Sequence, residues 1–277
     1  MMRMRQPAFA LVLTAALCAS AGPLRPGTVP ADARWLVHLN VEQLKATTIG
    51  TYVLDRLNTR EAGPKLAAFQ AVFNFDPRQD IRAVTLCGPD NDERNSTVLI
   101  FGDYDRDRLV TLLKATDGYS TEQYGDKTIH GWAAAASQAK RRAWPAKGWT
   151  AGFVCFHPDN VAVLGKNADR LRAALDVLDR KQRSLAAAAE SLPTARARDA
   201  VLAVVADFSR MTGLEPKAAV FQQTRTIELY LRETNGMLEG RFRLLAEQPG
   251  TAVQVRNVFR GLIDLALLGA QDNPALA

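Results

Sequence analysis

The chain has 277 residues, 47% hydrophobic and 23% charged, the balance of an ordinary globular protein. Its net charge of +6 at pH 7 arises from 35 basic and 29 acidic side chains. No block of like charges is long enough to mark a nucleic-acid-binding arm.

The first element is residues 1–21. Arg3 and Arg5 precede the apolar run PAFALVLTAALCA, and Ala19-Ser20-Ala21 supplies small residues for cleavage. This is the layout of a secretory signal peptide, with an apolar run too short to span a membrane. It predicts a periplasmic or secreted protein and excludes most ATP-driven and nucleic-acid chemistry. Leu17 stands where a lipobox requires a small residue before Cys18, so the expected product is cleaved and not lipidated. Loss of Arg3 and Arg5, with no acid, lowers the net charge from +6 to +4. Roughly 256 residues remain, enough for one large domain or two smaller ones with substantial cores.

Residues 22–32 read as a Pro/Gly-rich spacer. WLVHLN from Trp35 then reads as a strand, with Asn40 as the N-cap of a helix and Gln43 three residues on. That helix is expected to run through Leu44, Val53, Leu54 and Leu57. A second follows Pro64, with Leu66, Phe69 and Phe73 on one stripe. IRAVTLCG and STVLIFGDY are β-rich runs around the turn cluster PDNDERN. Asp105 or Asp107 is placed to cap the helix RLVTLLKAT.

YSTEQYG and KTIHGW predict short strands joined at Gly125-Asp126. A loop from Ala133 to Gly148 separates them from a hairpin, TAGFVCF and NVAVLG, turning at His157-Pro158-Asp159. Asn167 caps the helix ADRLRAALDVLDR. Residues 183–199, polar and Ala-rich, read as a linker between a first unit at 33–182 and a second at 200–277.

In the second unit AVLAVVAD is a strand with Asp207 where Asn40 stood. TRTIELYLRET and MLEGRFRLLA flank Asn235-Gly236, the strongest hairpin signal in the chain. A long helix follows from Thr251. The expected fold is therefore α+β: mostly antiparallel sheets with helices on one face, in two related β-α-β-β-α units, an internal duplication. The second unit lacks the extra strands and helix of the first. DNPALA, a helix start with almost no helix after it, suggests that it is truncated.

Three stretches carry a resemblance: VPADARWLVHLNVEQLKATTIG, the strand ending VLIFGDYD, and DNVAVLGKNADRLRAALDVLD. Together they resemble uncharacterised bacterial extracytoplasmic proteins in which a VPADA opening follows the leader. The resemblance implies an extracytoplasmic α+β domain and supplies no activity and no catalytic residue.

The chain has three histidines, His38, His130 and His157, each a candidate base or zinc ligand. None has the spacing of a helical HExxH pair or of an HxH strand pair. Asp103, Asp105 and Asp107 imitate the start of a calcium loop, but Arg108 and Lys114 occupy the positions that need Gly and Glu. Gly165-Lys166 lacks the upstream glycine of a phosphate loop, because Asn160 stands there. Ser120 lacks the glycine frame of a hydrolase elbow. Cys87 and Cys155 lie in apolar strands, and in an oxidising compartment they are candidates for a disulfide. The C-terminal helix is apolar, but Arg256, Asn257, Arg260 and Asp264 interrupt it, so the mature chain is expected to have no transmembrane segment.

The loop residues Arg141, Arg142, Trp144 and Trp149 form the one surface feature with a binding signature, cations beside indoles. They suit an envelope protein or an anionic polymer. The sequence thus reads as a non-enzymatic interaction or structural protein with no cofactor and no nucleic-acid partner. The alternative is a hydrolase or metal-dependent enzyme whose site joins a histidine to a distant carboxylate.

Overall fold

The computed structural model describes residues 22–57, 63–116, 118–133, 151–188, 192–212 and 224–248, with parts of 250–261. Strand β1 (Trp35–Asn40) leads into α1 (Val41–Lys45), α2 (Thr48–Leu57), α3 (Gly63–Phe73) and α4 (Pro77–Asp80). Strands β2 (Ile81–Gly88) and β3 (Thr97–Gly102) precede α5 (Arg106–Lys114). Strands β4 (Ser120–Tyr124), β5 (Lys127–Ala133), β6 (Ala151–His157) and β7 (Val161–Gly165) lead to α6 (Ala168–Leu178). Strands β8 (Leu202–Asp207), β9 (Thr224–Thr234) and β10 (Met237–Ala246) follow.

Short polar residues set the helix starts. Asn40 Oδ1 accepts from the Gln43 amide at 2.9 Å while Asn40 Nδ2 donates to Gln43 Oε1 at 3.1 Å. This reciprocal cap satisfies amides that the first helical turn leaves open. Asp105 caps α5 through the Arg108 amide, and Asn167 caps α6. The helix expected to run from Asn40 to Leu57 is instead broken after Lys45. Thr47 causes the break, because its hydroxyl accepts from the Gly50 amide at 2.9 Å and so starts a new helix.

All ten strands join one sheet in the order β10-β9-β8-β1-β2-β3-β7-β6-β5-β4. Every neighbouring pair is antiparallel. The α+β class and antiparallel character are as expected. On one face Leu99, Phe101, Cys155 and Val163 pack against Leu171, Ala174 and Leu175 of α6. On the other, Val154, Phe156 and Ala162 pack against Leu109, Val110 and Leu113 of α5. Helices therefore cover both faces of this half, where the patterning suggested one.

The segments read as spacer and linker belong to the core. Leu24, Val29, Leu185, Leu192, Ala197 and Ala200 are buried together against Leu36, Cys87, Ala203, Val205 and Tyr230. Their small or isolated apolar residues carry no strand or helix period, which is why the sequence reads them as connectors. Gly22 fits so closely that a Cβ there would lie 2.7 Å from Asn40 Oδ1 and 2.8 Å from Glu42 Oε2.

Strand β1 and strand β8 form an antiparallel pair, with Val37 opposite Val204. Outward from it run β2 and β3 on one side and β9 and β10 on the other. The Asn40 amide donates to Val201 O at 2.8 Å, and the Asp207 amide donates to Arg34 O at 2.7 Å. Each of these residues also caps the turn after its strand, Asn40 through Gln43 and Asp207 through Ser209.

Candidate interaction surface

Each histidine is held by internal bonds. His38 on β1 is buried, with Nε2 3.1 Å from Gly22 O and Nδ1 2.8 Å from Thr85 Oγ1. A carbonyl only accepts, so Nε2 carries the proton and Nδ1 accepts from the threonine hydroxyl. Burial pushes the ring's pKa down to about 4, so it is neutral at pH 7. His130 on β5 lies 2.9 Å through Nδ1 from Tyr119 Oη, against the Phe156 ring. Burial lowers its pKa, and Arg106 and Lys114 lower it further.

His157 on β6 meets the chemistry the sequence left open, because Nε2 lies 3.1 Å from Asp179 Oδ1. Its Nδ1 accepts from the Asp159 amide at 3.2 Å, so the proton sits on Nε2 and points at the carboxylate. Asp179 is also bonded by Lys127 Nζ at 2.9 Å and Lys181 Nζ at 2.8 Å. Burial alone would raise its pKa, but the bonds from Lys181, Lys127 and His157 outweigh burial and hold it well below the usual carboxylate range. The Lys127 side chain is 7% exposed and the His157 side chain 6%. This triad ties the β4–β5 turn and the β6–β7 turn to the end of α6.

The histidines do not converge. His130 and His157 occupy neighbouring strands on opposite faces, since His130 is opposite Val154 while His157 alternates with Cys155. Among the described residues, no three His, Cys, Asp or Glu side chains gather as a metal ion requires. Asp105 serves as a cap, Asp103 pairs with Arg82, and Lys166 pairs with Glu93.

The candidate disulfide between Cys87 and Cys155 is not formed, and both thiols are free and buried. Strands β2 and β6 are separated by β3 and β7, three strand spacings or on the order of 14 Å, against the ~7 Å limit between bridged Cα atoms. Burial pushes their pKa values up to about 12 and about 11, so they act as small apolar groups. Arg141, Arg142, Trp144 and Trp149, on the segment joining β5 to β6, lie outside the described residues. No helix among the described residues is long and apolar enough to cross a membrane.

The surface that sequence reasoning missed is the sheet's second face over β10, β9, β8, β1, β2 and β3. Pairing aligns Phe242, Leu229, Val204, Val37, Leu86 and Val98 in one row across these six strands. A second row reads Leu231, Leu202, Leu39, Val84 and Ile100. A third reads Leu244, Ile227, Ala206 and Trp35. All but Ala206 are half-buried, whereas their neighbours Leu36, Ala203 and Val205 on the other face are buried. Alternation in each strand is the signal for this face, but the register that joins the strands into rows is non-local.

Helix α2 starts at the rim of this face. The Glu233 carboxylate accepts from the Thr48 amide at 2.8 Å and the Ile49 amide at 3.2 Å, bonds that lower its pKa. Ile49, Tyr52 and Val53 on α2 are exposed. An apolar sheet face and an apolar helix flank thus lie at one end of β9.

No protein-family model matches the chain, and no curated protein matches it. Among solved structures it is similar to TP0453. Crystal form III of that protein aligns over 87% of each chain at 10% identity with a TM-score of 0.42. Crystal form IV aligns over 81% of each chain at 9% identity with a TM-score of 0.41. A likeness at this level carries no argument about function.

Proposed function

We propose that the protein is a non-enzymatic interaction domain that works outside the cytoplasm, delivered there by the leader at residues 1–21. The observation that carries this reading is the second sheet face, where among the described residues apolar rows are left half-buried across strands β10 to β2. Large contiguous apolar surface flanked by charge is costly to leave in water and marks protein contact sites. The partner it suits is an apolar surface on an envelope protein. Arg141, Arg142, Trp144 and Trp149 add a second, cationic contact on the same reading.

The test is affinity capture from the envelope fraction, comparing the native chain with Leu229→Lys and with the triple replacement of Arg141, Arg142 and Trp144 by Ala. Leu229→Lys should remove most capture while the thermal transition stays cooperative. Capture that survives both changes undoubled in washing and undiminished in amount overturns the reading.

A second reading, hydrolysis, is favoured only by the 3.1 Å approach of His157 to Asp179. Two lysines share that carboxylate, and Lys127 and His157 are buried, so the pair suits a structural clamp better than a proton relay. We also infer that the chain arose by duplication. The support is the matched pair of bonds, Asn40 to Val201 and Asp207 to Arg34, where β1 pairs with β8.

A further inference from the structure

Strand β10 ends the sheet, and among the described residues nothing pairs with its outer edge. Proteins protect such edges by keeping them short, by proline, or by polar side chains, because unpaired amides and carbonyls recruit other strands. The opposite edge follows that rule, since β4 has five residues reading STEQY. Strand β10 departs from it, with ten residues and no proline. Met237, Leu238 and Leu245 on it are 67%, 47% and 44% exposed.

We propose that β10 pairs antiparallel with β10 of a second copy, joining two sheets into one continuous sheet about a two-fold axis at Arg241. The strand's own sequence is complementary in this register. Met237 falls opposite Leu245 of the second copy, Leu238 opposite Leu244, Glu239 opposite Arg243, and Gly240 opposite Phe242. Two-fold symmetry forms each of these pairs twice. Every exposed apolar residue thus meets an apolar one, and the acidic residue meets a base.

Glu239 and Arg243 already contact Arg232 and Glu228 within their own copy. Both keep about half of the side chain exposed, at 45% and 58%, which leaves room for a partner across the axis. Other registers match less well. A slide of one pair in one direction sets Arg241 against Arg243. The opposite slide sets Met237 against Arg243 and leaves Leu244 and Leu245 facing the turn at Asn235-Gly236. The cost of the proposed register is Arg241 facing itself.

This inference concerns the sheet's edge and not its apolar face, so it stands or falls apart from the capture experiment with Leu229→Lys. The test is sedimentation velocity of the purified protein at rising concentration, with near-ultraviolet dichroism to check each fold. A concentration-dependent dimer is expected. Leu238→Lys, which places two charges opposite Leu244, should weaken it by about tenfold or more. Arg241→Gln, which removes the like-charge contact, should tighten it. Under oxidation Arg241→Cys should form a disulfide-linked dimer, whereas Arg225→Cys on β9 should not. A protein monomeric at every concentration overturns the proposal, as does a dimer insensitive to Leu238→Lys. Cross-linking through Gly240→Cys in place of Arg241→Cys overturns the register.

Discussion

The two ends of the sheet are built from similar strands but finished differently. Around β3, β7 and β6, helix α6 seals one face and α5 packs on the other, so Leu99, Val163 and Cys155 are wholly enclosed and Ile100 and Leu164 are partly buried beneath α5. Around β8, β9 and β10, the segments at 22–33 and 183–200 seal one face, and among the described residues the other face stays half-buried. The sequences differ to match. VLIF and VAVL are apolar without interruption, whereas TIELYLRET alternates. The comparison teaches that one continuous antiparallel sheet can enclose both faces at one end and, among the described residues, only one face at the other.

The sharpest way to break the sealed end is at its ion cluster. Asp179→Asn should cost about 2–5 kcal/mol in urea unfolding, because buried Lys127 and His157 lose the carboxylate they share and Lys127 keeps only the exposed Asp126. A loss below about 1 kcal/mol would mean that the cluster holds nothing together. Next in size is a matched pair of truncations. Leu175→Ala, in the sealed core, should cost about 2–5 kcal/mol, and Leu238→Ala, on the open edge, less than about 0.5 kcal/mol. Equal losses by chemical denaturation would erase the distinction between the two ends.

His38 sharpens the comparison through pH. Its ring titrates near 6.5 in the unfolded chain and at about 4 when folded. Above pH 6.5 both states are neutral, and the stability from the buried ring is complete. As pH falls from 6.5 toward 4, the unfolded chain binds the proton that the folded chain refuses, so stability drops by up to about 3 kcal/mol and then levels. Urea midpoints at pH 7 and 4.5 should diverge for the native chain and converge for His38→Gln. The smallest effects test the pairing of β1 with β8. Asn40→Ala and Asp207→Ala should each cost about 1 kcal/mol by thermal unfolding. A loss at one site only would count against their structural equivalence.

What could be read from the residues was local. Asn40 with Gln43, Asp105, Asn167 and Asp207 all cap as their spacing predicts, because a cap bond spans two or three residues. Asn235-Gly236 turns β9 into β10 with both residues at positive φ, 54° and 76°, as that dipeptide favours. What escaped was non-local. His157 and Asp179 are joined across β7 and α6, and no pattern along the chain marks their approach. The placing of β8 beside β1, which turns apparent units into one sheet, depends on pairing between distant segments. Residues 183–199 look like a linker because isolated residues, Leu185, Leu192 and Ala197, pack a core without displaying a period.

The position of β1 also sets the order in which the protein can fold. Its partner β2 follows closely, but Trp35 must meet Ala206 across roughly 170 residues of chain, a closure that contact-order arguments place late. Until β8 arrives, β1 is a bare edge carrying Trp35, Val37 and Leu39. Any chain cut short before Leu202 would keep that edge and be driven to aggregate through it. The last third of the sequence therefore covers an edge that the first third leaves open.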